Sequence, residues 1–304
     1  MRFYQYIQDG TRHVGVEAES GRITDLTSIN PRIGSTLELL KAASITGSDI
    51  DSVTRGILSA SSGSGTAPIS VEEFLDGAAT GKQGVTLLPP IDAPEVWAFG
   101  VTYMDSMRER QAESGSPDVY ARVYDAVRPE AFFKSTFERL QSPFDEVGIR
   151  GDSEWNVPEP ELAFITYGGK IVGYTAGNDM SSRTIEGENP LYLPQAKVYD
   201  KSAALGPALA TPETVGDPQN LAVTLVIERD GDEVFRGEAN TSEMKRDCAY
   251  LADWLVRHNS VPDGTTAMTG TGTIPPPEFT LAAGDVISVT IEKIGTLTNT
   301  VVLV

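Results

Sequence analysis

The sequence predicts an α+β protein: a small N-terminal unit of mixed helix and strand, residues 1–89, followed by a larger and mostly β portion, residues 90–304. Three observations carry that expectation. Short β-prone runs and helical runs share the first portion. A Pro-rich stretch, Leu88-Leu-Pro-Pro-Ile-Asp-Ala-Pro94, reads as a stiff connector and marks the boundary. Beyond it, β-prone segments joined by Gly-containing turns dominate. The length of 304 residues suits one large domain or such a pair, and an apolar share of 40% is somewhat low yet enough for a sizeable core.

Taken in order, Phe3-Tyr-Gln-Tyr-Ile7 alternates, Asp9-Gly10 turns, and residues 13–17 return. Asp25-Leu-Thr27 leads into a third strand or a loop. Ser35-Thr36 caps a helix beginning at Leu37. Residues 44–70 are polar without a clear element, and the Ser-Gly-rich passage at 60–66 reads as a loop. Ser70, with Glu73 three residues on, forms a capping box for a short helix. Nothing in this portion carries chemistry. Residues 95–103 read as a strand ending at Gly100, where the missing side chain lets another group approach the backbone. Thr102 and Tyr103 offer hydroxyls there. Residues 104–128 are partly helical, with a break at Gly115-Ser-Pro117 that suggests a mobile, lid-like surface segment. Arg128-Pro-Glu130 then enters a strand.

The stretch from Ser153 to Lys201 holds the candidate chemistry. Glu159 and Glu161 flank Pro160, and an extended chain sends i and i+2 to one face. Pro160 cannot donate a ladder hydrogen bond, so an edge or bulged strand is expected. Two carboxylates on one face repel unless a cation or a proton joins them. Residues 162–167 lead to a Gly168-Gly169 turn, and 170–176 return to Asn178-Asp179. A strict two-residue register places Asn178 opposite Glu159. Asp179 joins the pair only if a bulge shifts the register, and such a shift is expected. Taken alone, Glu-Pro-Glu reads as a solvated acidic pair; the larger arrangement reverses that. Three carboxylates and water suit magnesium, manganese or calcium rather than zinc, which draws on His or Cys. Arg183 and Glu186 follow. Asn189-Pro-Leu-Tyr-Leu-Pro-Gln195 reads as an irregular loop, with Lys197 near its end as a salt-bridge partner or a proton-transfer group. Gly206-Pro207 ends the segment.

The remainder is mostly strand. Residues 221–229, an Asp230-Gly231 turn and 233–237 form a hairpin. Ser242 opens a helix through Arg257 with Met244, Cys248, Leu251, Ala252 and Leu255 on one face. Thr269-Gly-Thr-Gly-Thr-Ile-Pro275 is a small-residue loop whose hydroxyls and amides suit an anion such as a carboxylate. It lacks the Gly-Lys-Ser/Thr end of a phosphate loop. Residues 285–294 and 296–304 are final strands around Gly295.

The net charge of −19, with 16 Arg and 8 Lys, argues against nucleic acid or an anionic membrane as partner. It suggests adaptation to a high-salt cytoplasm, where screening reduces self-repulsion. The single Cys248 excludes an internal disulfide and reads as buried filler. The N-terminus lacks an apolar signal core, and no run is long enough to span a bilayer, so a cytoplasmic location is expected.

Residues from about 95 to 304 resemble the fumarylacetoacetate hydrolase superfamily. Glu-x-Glu (Glu159, Glu161), Asn-Asp-x-Ser-x-Arg (Asn178 to Arg183), Lys197, Leu205-Gly-Pro207 and Thr269-Gly-Thr271 occur in the family's order. Val123-Tyr-Asp-Ala-Val-Arg-Pro-Glu130, Ser153-Glu-Trp155, Pro158-Glu-Pro-Glu-Leu162 and Glu188-Asn-Pro-Leu-Tyr-Leu-Pro-Gln195 look like its 2-keto-3-deoxy-arabinonate dehydratase branch, over nearly the whole chain. The resemblance implies an N-terminal α+β domain and a C-terminal mixed β-sandwich roll. It implies magnesium on Glu159, Glu161 and Asp179, with manganese or calcium able to substitute. Lys197 and Glu130 become catalytic candidates, and Phe99, Gly100, Thr102, Tyr103, Arg183 and Thr271 match pocket positions. It also implies a small 2-keto acid substrate and homo-oligomers, dimers or tetramers. The implied reaction takes a 3-deoxy-2-keto pentonate, from xylonate or arabinonate, to 2,5-dioxopentanoate. The metal stabilises the developing enolate, while Lys197 and Glu130 move protons. Hydrolases of the superfamily often place a fourth acidic ligand where this chain has Val101-Thr102-Tyr103, and use a His-Glu pair to activate water. Only His13 and His258 exist here, in no matching motif, which favours the dehydratase branch. The rivals are an acylpyruvate or fumarylpyruvate hydrolase with the same metal site, and a silent β-roll binding module, whose mark would be a missing ligand.

Overall fold

A computed structural model describes residues 1–19, 21–60, 67–113 and 117–304. The Ser-Gly-rich passage expected as a loop, beyond Ala60, and the Gly115-Ser116 break lie outside the described residues. Two sheets of mixed direction dominate. The larger has twelve strands. Its path runs Ile69–Ser70, Arg22–Asp25, Thr11–Glu19, Arg2–Gln8, Ala203–Ala210, Lys170–Asp179, Pro160–Tyr167, Thr266–Met268, Glu95–Gly100 and Glu130–Thr136. The sheet therefore continues across the 89/90 boundary, through Arg2 opposite Ala210. The smaller has five strands in the order Asp232–Asn240, Ala222–Arg229, Val286–Ile291, Gly295–Leu303 and Glu146–Ile149.

The Pro160–Tyr167 strand shows how the layers are built. Successive side chains alternate faces. Leu162 and Phe164 join a core with Leu225, Ile227 and Val289 of the smaller sheet. Ala163 and Ile165 face the other way, into a core with Phe3, Leu39 and Ile50 of the N-terminal portion. A strand covered on both faces reads as a continuous apolar run, as this one does. Each fully buried Leu or Phe contributes roughly 1.5–3 kcal/mol.

Several expectations are corrected. Pro160 does not mark an edge: its strand is paired on both sides, and the proline is its first residue, where the missing amide costs little. Gly206-Pro207 lies inside Ala203–Ala210 rather than ending a segment, beside a register irregularity at Tyr174/Ala176. The Pro-rich connector is no free spacer. Ile91 and Ala93 are buried, and the Pro89 and Pro90 carbonyls accept from Gln5 Nε2 and Thr36 Oγ1, each at 2.6 Å. The polar 44–70 stretch contains a helix, Ile50–Ala60, with an amphipathic face. The 189–195 loop is instead a 3-10 turn, Pro190–Tyr192, leading into the short helix Leu193–Lys197. The helix expected from Ser242 starts at Cys248, capped by Asp247. Residues 244–246 form a bridge and a bend instead: Met244 bridges Tyr103, and the Lys245 amide donates to the Thr102 carbonyl. The helices capped by Ser35 and Ser70 form as expected, over Thr36–Thr46 and Val71–Thr80.

Candidate metal centre

The centre sits at the open end of the hairpin Pro160–Tyr167/Lys170–Asp179. Gly168 and Gly169 both adopt positive φ, as a tight primed turn requires. From the turn the pairing runs Tyr167 to Lys170 and Thr166 to Ile171, then jumps to Ile165 opposite Gly173. Val172 is the extra residue. The expected bulge is therefore present, and it moves every later pair by one: Pro160 faces Asn178, and the Asp179 amide donates to the Glu159 carbonyl at 3.0 Å. Glu159, Glu161 and Asp179 offer carboxylate oxygens that all lie within 4.8 Å of one another. Their exposures are 4%, 1% and 1%.

Basic side chains surround two of the three acids. Lys197 Nζ donates to Glu159 Oε2 (2.7 Å), Asp179 Oδ2 (3.1 Å) and Ser181 Oγ (2.5 Å). Arg183, fully buried at the start of a helix capped by Ser182, donates to Glu159 Oε1 at 3.0 Å. Lys134, which sequence reasoning missed, is completely buried. Its ammonium lies 2.5 Å from Asp179 Oδ1 and donates to the carbonyls of Met180 (2.8 Å) and Lys197 (2.5 Å). Burial pulls the Lys134 ammonium below the ordinary lysine value, and Asp179 offsets this. The cation that the clustered acids were expected to need is thus supplied in part by the protein's own buried ammonium and guanidinium groups. A signal for Lys134 was available, since a regular strand puts residues 130, 132 and 134 on one face; in the structure Lys134 is the extra residue at a register irregularity, between Phe133 opposite Trp97 and Ser135 opposite Val96.

Glu161 differs. Among the described residues no ion pair reaches it; the Gly270 amide donates to its Oε2 at 2.5 Å. The loop read as suited to an anion thus holds a carboxylate of the protein itself. Burial, then the charges of Asp179 and Glu159, push the Glu161 carboxyl well above the usual carboxylate range. A buried acid in that condition, within a cluster of hard oxygen donors, fits a hard divalent cation, which would favour its charged form.

A cavity joins the triad to Phe99, Gly100, Glu130, Lys197 and Thr271, all expected at the site. Ser106, Tyr120, Phe132 and Glu186 also line it and were not anticipated as pocket residues; Ser106 and Tyr120 come from the two helices of the lid-like segment. Thr102, Tyr103 and Arg183 stand behind this wall. Val101 has φ +54°, which turns the chain away, and the Thr102 hydroxyl donates to the Thr269 carbonyl at 2.7 Å. Neither histidine lines the cavity; His13 pairs with Asp25 in the N-terminal portion. Cys248 is buried, with its thiol pushed up to about 12, as befits filler.

Residues 95–302 match the family model for the fumarylacetoacetate (FAA) hydrolase C-terminal domain. The chain is 45% identical over 304 residues to a protein of Haloferax volcanii named probable 2-keto-3-deoxyxylonate dehydratase, covering 100% of both. It is 43% identical over 219 residues to the 2-dehydro-3-deoxy-D-arabinonate dehydratase of Saccharolobus solfataricus, covering 70% of this chain and 73% of that one. A solved 2-keto-3-deoxy-D-arabinonate dehydratase complexed with magnesium and 2,5-dioxopentanoate superposes with a TM-score of 0.84 at 33% identity, covering 100% of this chain and 99% of that one. With the ordered motifs and the clustered carboxylates, these similarities place the chain in the fumarylacetoacetate hydrolase family, beside its 2-keto-3-deoxy sugar acid dehydratases.

Proposed function

We propose that this protein is a metal-dependent hydro-lyase that converts 2-keto-3-deoxy-D-arabinonate, identical to the xylonate-derived acid, into 2,5-dioxopentanoate in oxidative pentose degradation. The observation that carries this reading is the convergence of three buried carboxylates, Lys197 and Glu130 on one cavity. Glu159, Glu161 and Asp179 would hold magnesium, with manganese or calcium able to substitute. A bound cation of this kind supplies Lewis-acid polarisation of a chelating 2-keto carboxylate.

The protein's own groups handle the protons. One of Lys197 and Glu130 takes the C3 proton, and the other protonates the departing C4 hydroxyl. The C3–H electrons form the C3–C4 double bond as the C4–O bond breaks, and water leaves. A proton then moves from C5 to C3, leaving a C4–C5 enol, and the enol hydroxyl's proton moves to C4, giving the C5 aldehyde without net oxidation. Phe99, Gly100 and Thr271 form the wall, and Thr102, Tyr103 and Arg183 support it from behind. The hydrolase alternative is disfavoured because neither histidine lines the cavity.

The division at 89/90 belongs to the same proposal, supported by the family match beginning at Glu95. So do a dimeric or tetrameric assembly, supported by the family resemblance, and a cytoplasmic, high-salt setting, supported by the charge of −19. Among the described residues no helix is long and apolar enough to cross a membrane. The deciding experiment is a panel of 3-deoxy-2-keto sugar acids and acylpyruvates, with and without chelator. Chelator-sensitive release of 2,5-dioxopentanoate is expected. Cleavage of an acylpyruvate into two carboxylic acids, with the sugar acids untouched, would overturn the assignment.

A further inference from the structure

The geometry points to Gly100 as the positioning residue for Glu130: the Glu130 carboxylate occupies the space that a side chain at position 100 would fill. Gly100 ends the strand Glu95–Gly100 and lies directly opposite Glu130, the first residue of Glu130–Thr136. Directly opposed residues in an antiparallel pair send their side chains to one face, with Cβ atoms ordinarily about 4.5–5.5 Å apart. Here the glutamate instead folds down across the glycine. A Cβ on residue 100 would stand 2.0 Å from Glu130 Oε2, 2.8 Å from its Cδ and 3.4 Å from its Cγ. No real methyl group tolerates such contacts, so any other residue at this position displaces the carboxylate.

The usual reason for a glycine is absent. Gly100 is not among the residues with positive φ, so its backbone conformation is open to any L residue. The neighbour that does hold a left-handed backbone is Val101, a β-branched residue for which φ +54° costs about 1–3 kcal/mol. That sharp turn, with the Thr102 hydroxyl on the Thr269 carbonyl, anchors the chain immediately after Gly100. The strand end therefore cannot slide away to make room; the carboxylate has to move. Both residues line the cavity that contains the triad and Lys197, so the displacement takes place at the reacting end of the pocket. A misplacement of about 1 Å in a proton-transfer group can lower the rate about 100-fold.

This inference rests on the reading of Glu130 as a proton-transfer residue, and the test separates the two. Turnover, KM and calorimetric Mg2+ affinity would be measured for Gly100→Ala, Glu130→Ala and the double variant. In the native background Gly100→Ala should lower kcat about 100-fold, with KM and Mg2+ affinity changed less than about threefold. In the Glu130→Ala background the same change should have no further effect, because there is nothing left to displace. A loss that is additive in the double variant, or full activity of Gly100→Ala while Glu130→Ala is inactive, would overturn the positioning role alone. Native turnover in Glu130→Ala would overturn the role of Glu130 and the inference with it. Should Gly100→Ala fail to fold, the double variant decides: melting at the temperature of Glu130→Ala supports the inference, and failure to fold shows that the backbone itself needs the glycine.

Discussion

Two hairpins in this molecule share one local grammar and end in different roles. In Pro160–Tyr167/Lys170–Asp179 the turn is Gly168-Gly169; in Ala222–Arg229/Asp232–Asn240 it is Asp230-Gly231, and all four turn residues have positive φ. Both carry a bulge at the same distance from the turn, with Val172 extra in one and Val234 extra in the other. The second hairpin lies at the edge of the smaller sheet. Its first strand alternates between buried and open positions, and its second is open for most of its length. The first is paired on both sides and buried nearly throughout. The turn and bulge are thus a general device. Burial is what sets the first hairpin's carboxylates apart, because charge there is not screened by water.

The largest effect expected from breaking this comparison is a deletion. Removing Val172 returns Asn178 to the place opposite Glu159, and calorimetry should show Mg2+ affinity lowered by more than about 100-fold. Removing Val234 should leave that affinity within about threefold. Next, Glu161→Gln should reduce metal-dependent turnover on the order of 1,000-fold while leaving the melting temperature in chelator unchanged or raised, since a strained acid is neutralised. The exposed Glu238→Gln of the edge hairpin should leave turnover unchanged.

A smaller effect concerns stability. Lys134→Met leaves Asp179 with Lys197 alone as its buried cation, and breaking such a buried pair costs about 3–5 kcal/mol, readable as a lower urea midpoint. Arg236→Met, which removes the exposed partner of Glu233 in the edge hairpin, should not move the midpoint measurably. The smallest effect is in pH. The Glu161 carboxyl is raised in the folded state, so the native protein binds more protons than the unfolded chain above the ordinary carboxylate range. Its contribution therefore falls as pH rises from that range through the raised value. In chelator, melting temperatures across that window should show a downward slope that Glu161→Gln flattens and saturating Mg2+ removes.

Much of the site was legible because its signals are local. The two-residue period placed Glu159 and Glu161 on one face, Gly-Gly marked the turn, and the need for Asp179 required a bulge. Thr102 and Tyr103, which the resemblance matched to pocket positions, do not line the cavity, because the left-handed Val101 turns the chain between them and Gly100. The helix expected at Ser242 followed its apolar period correctly but not its start, because residues 244–246 are recruited by Thr102 and Tyr103 from far along the chain.

By itself the sequence determined the hairpin, its turn, the spacing of the acids and their character as hard oxygen donors. Such features depend on φ, on side-chain alternation and on donor chemistry within a few residues. Only the tertiary structure decided which groups close on those acids: Lys134 from a distant strand, the Gly270 amide from a distant loop, and Glu130 laid across Gly100. It also decided that the acids are removed from water. The reason is that desolvation and charge pairing belong to the packed assembly, and no short segment contains them.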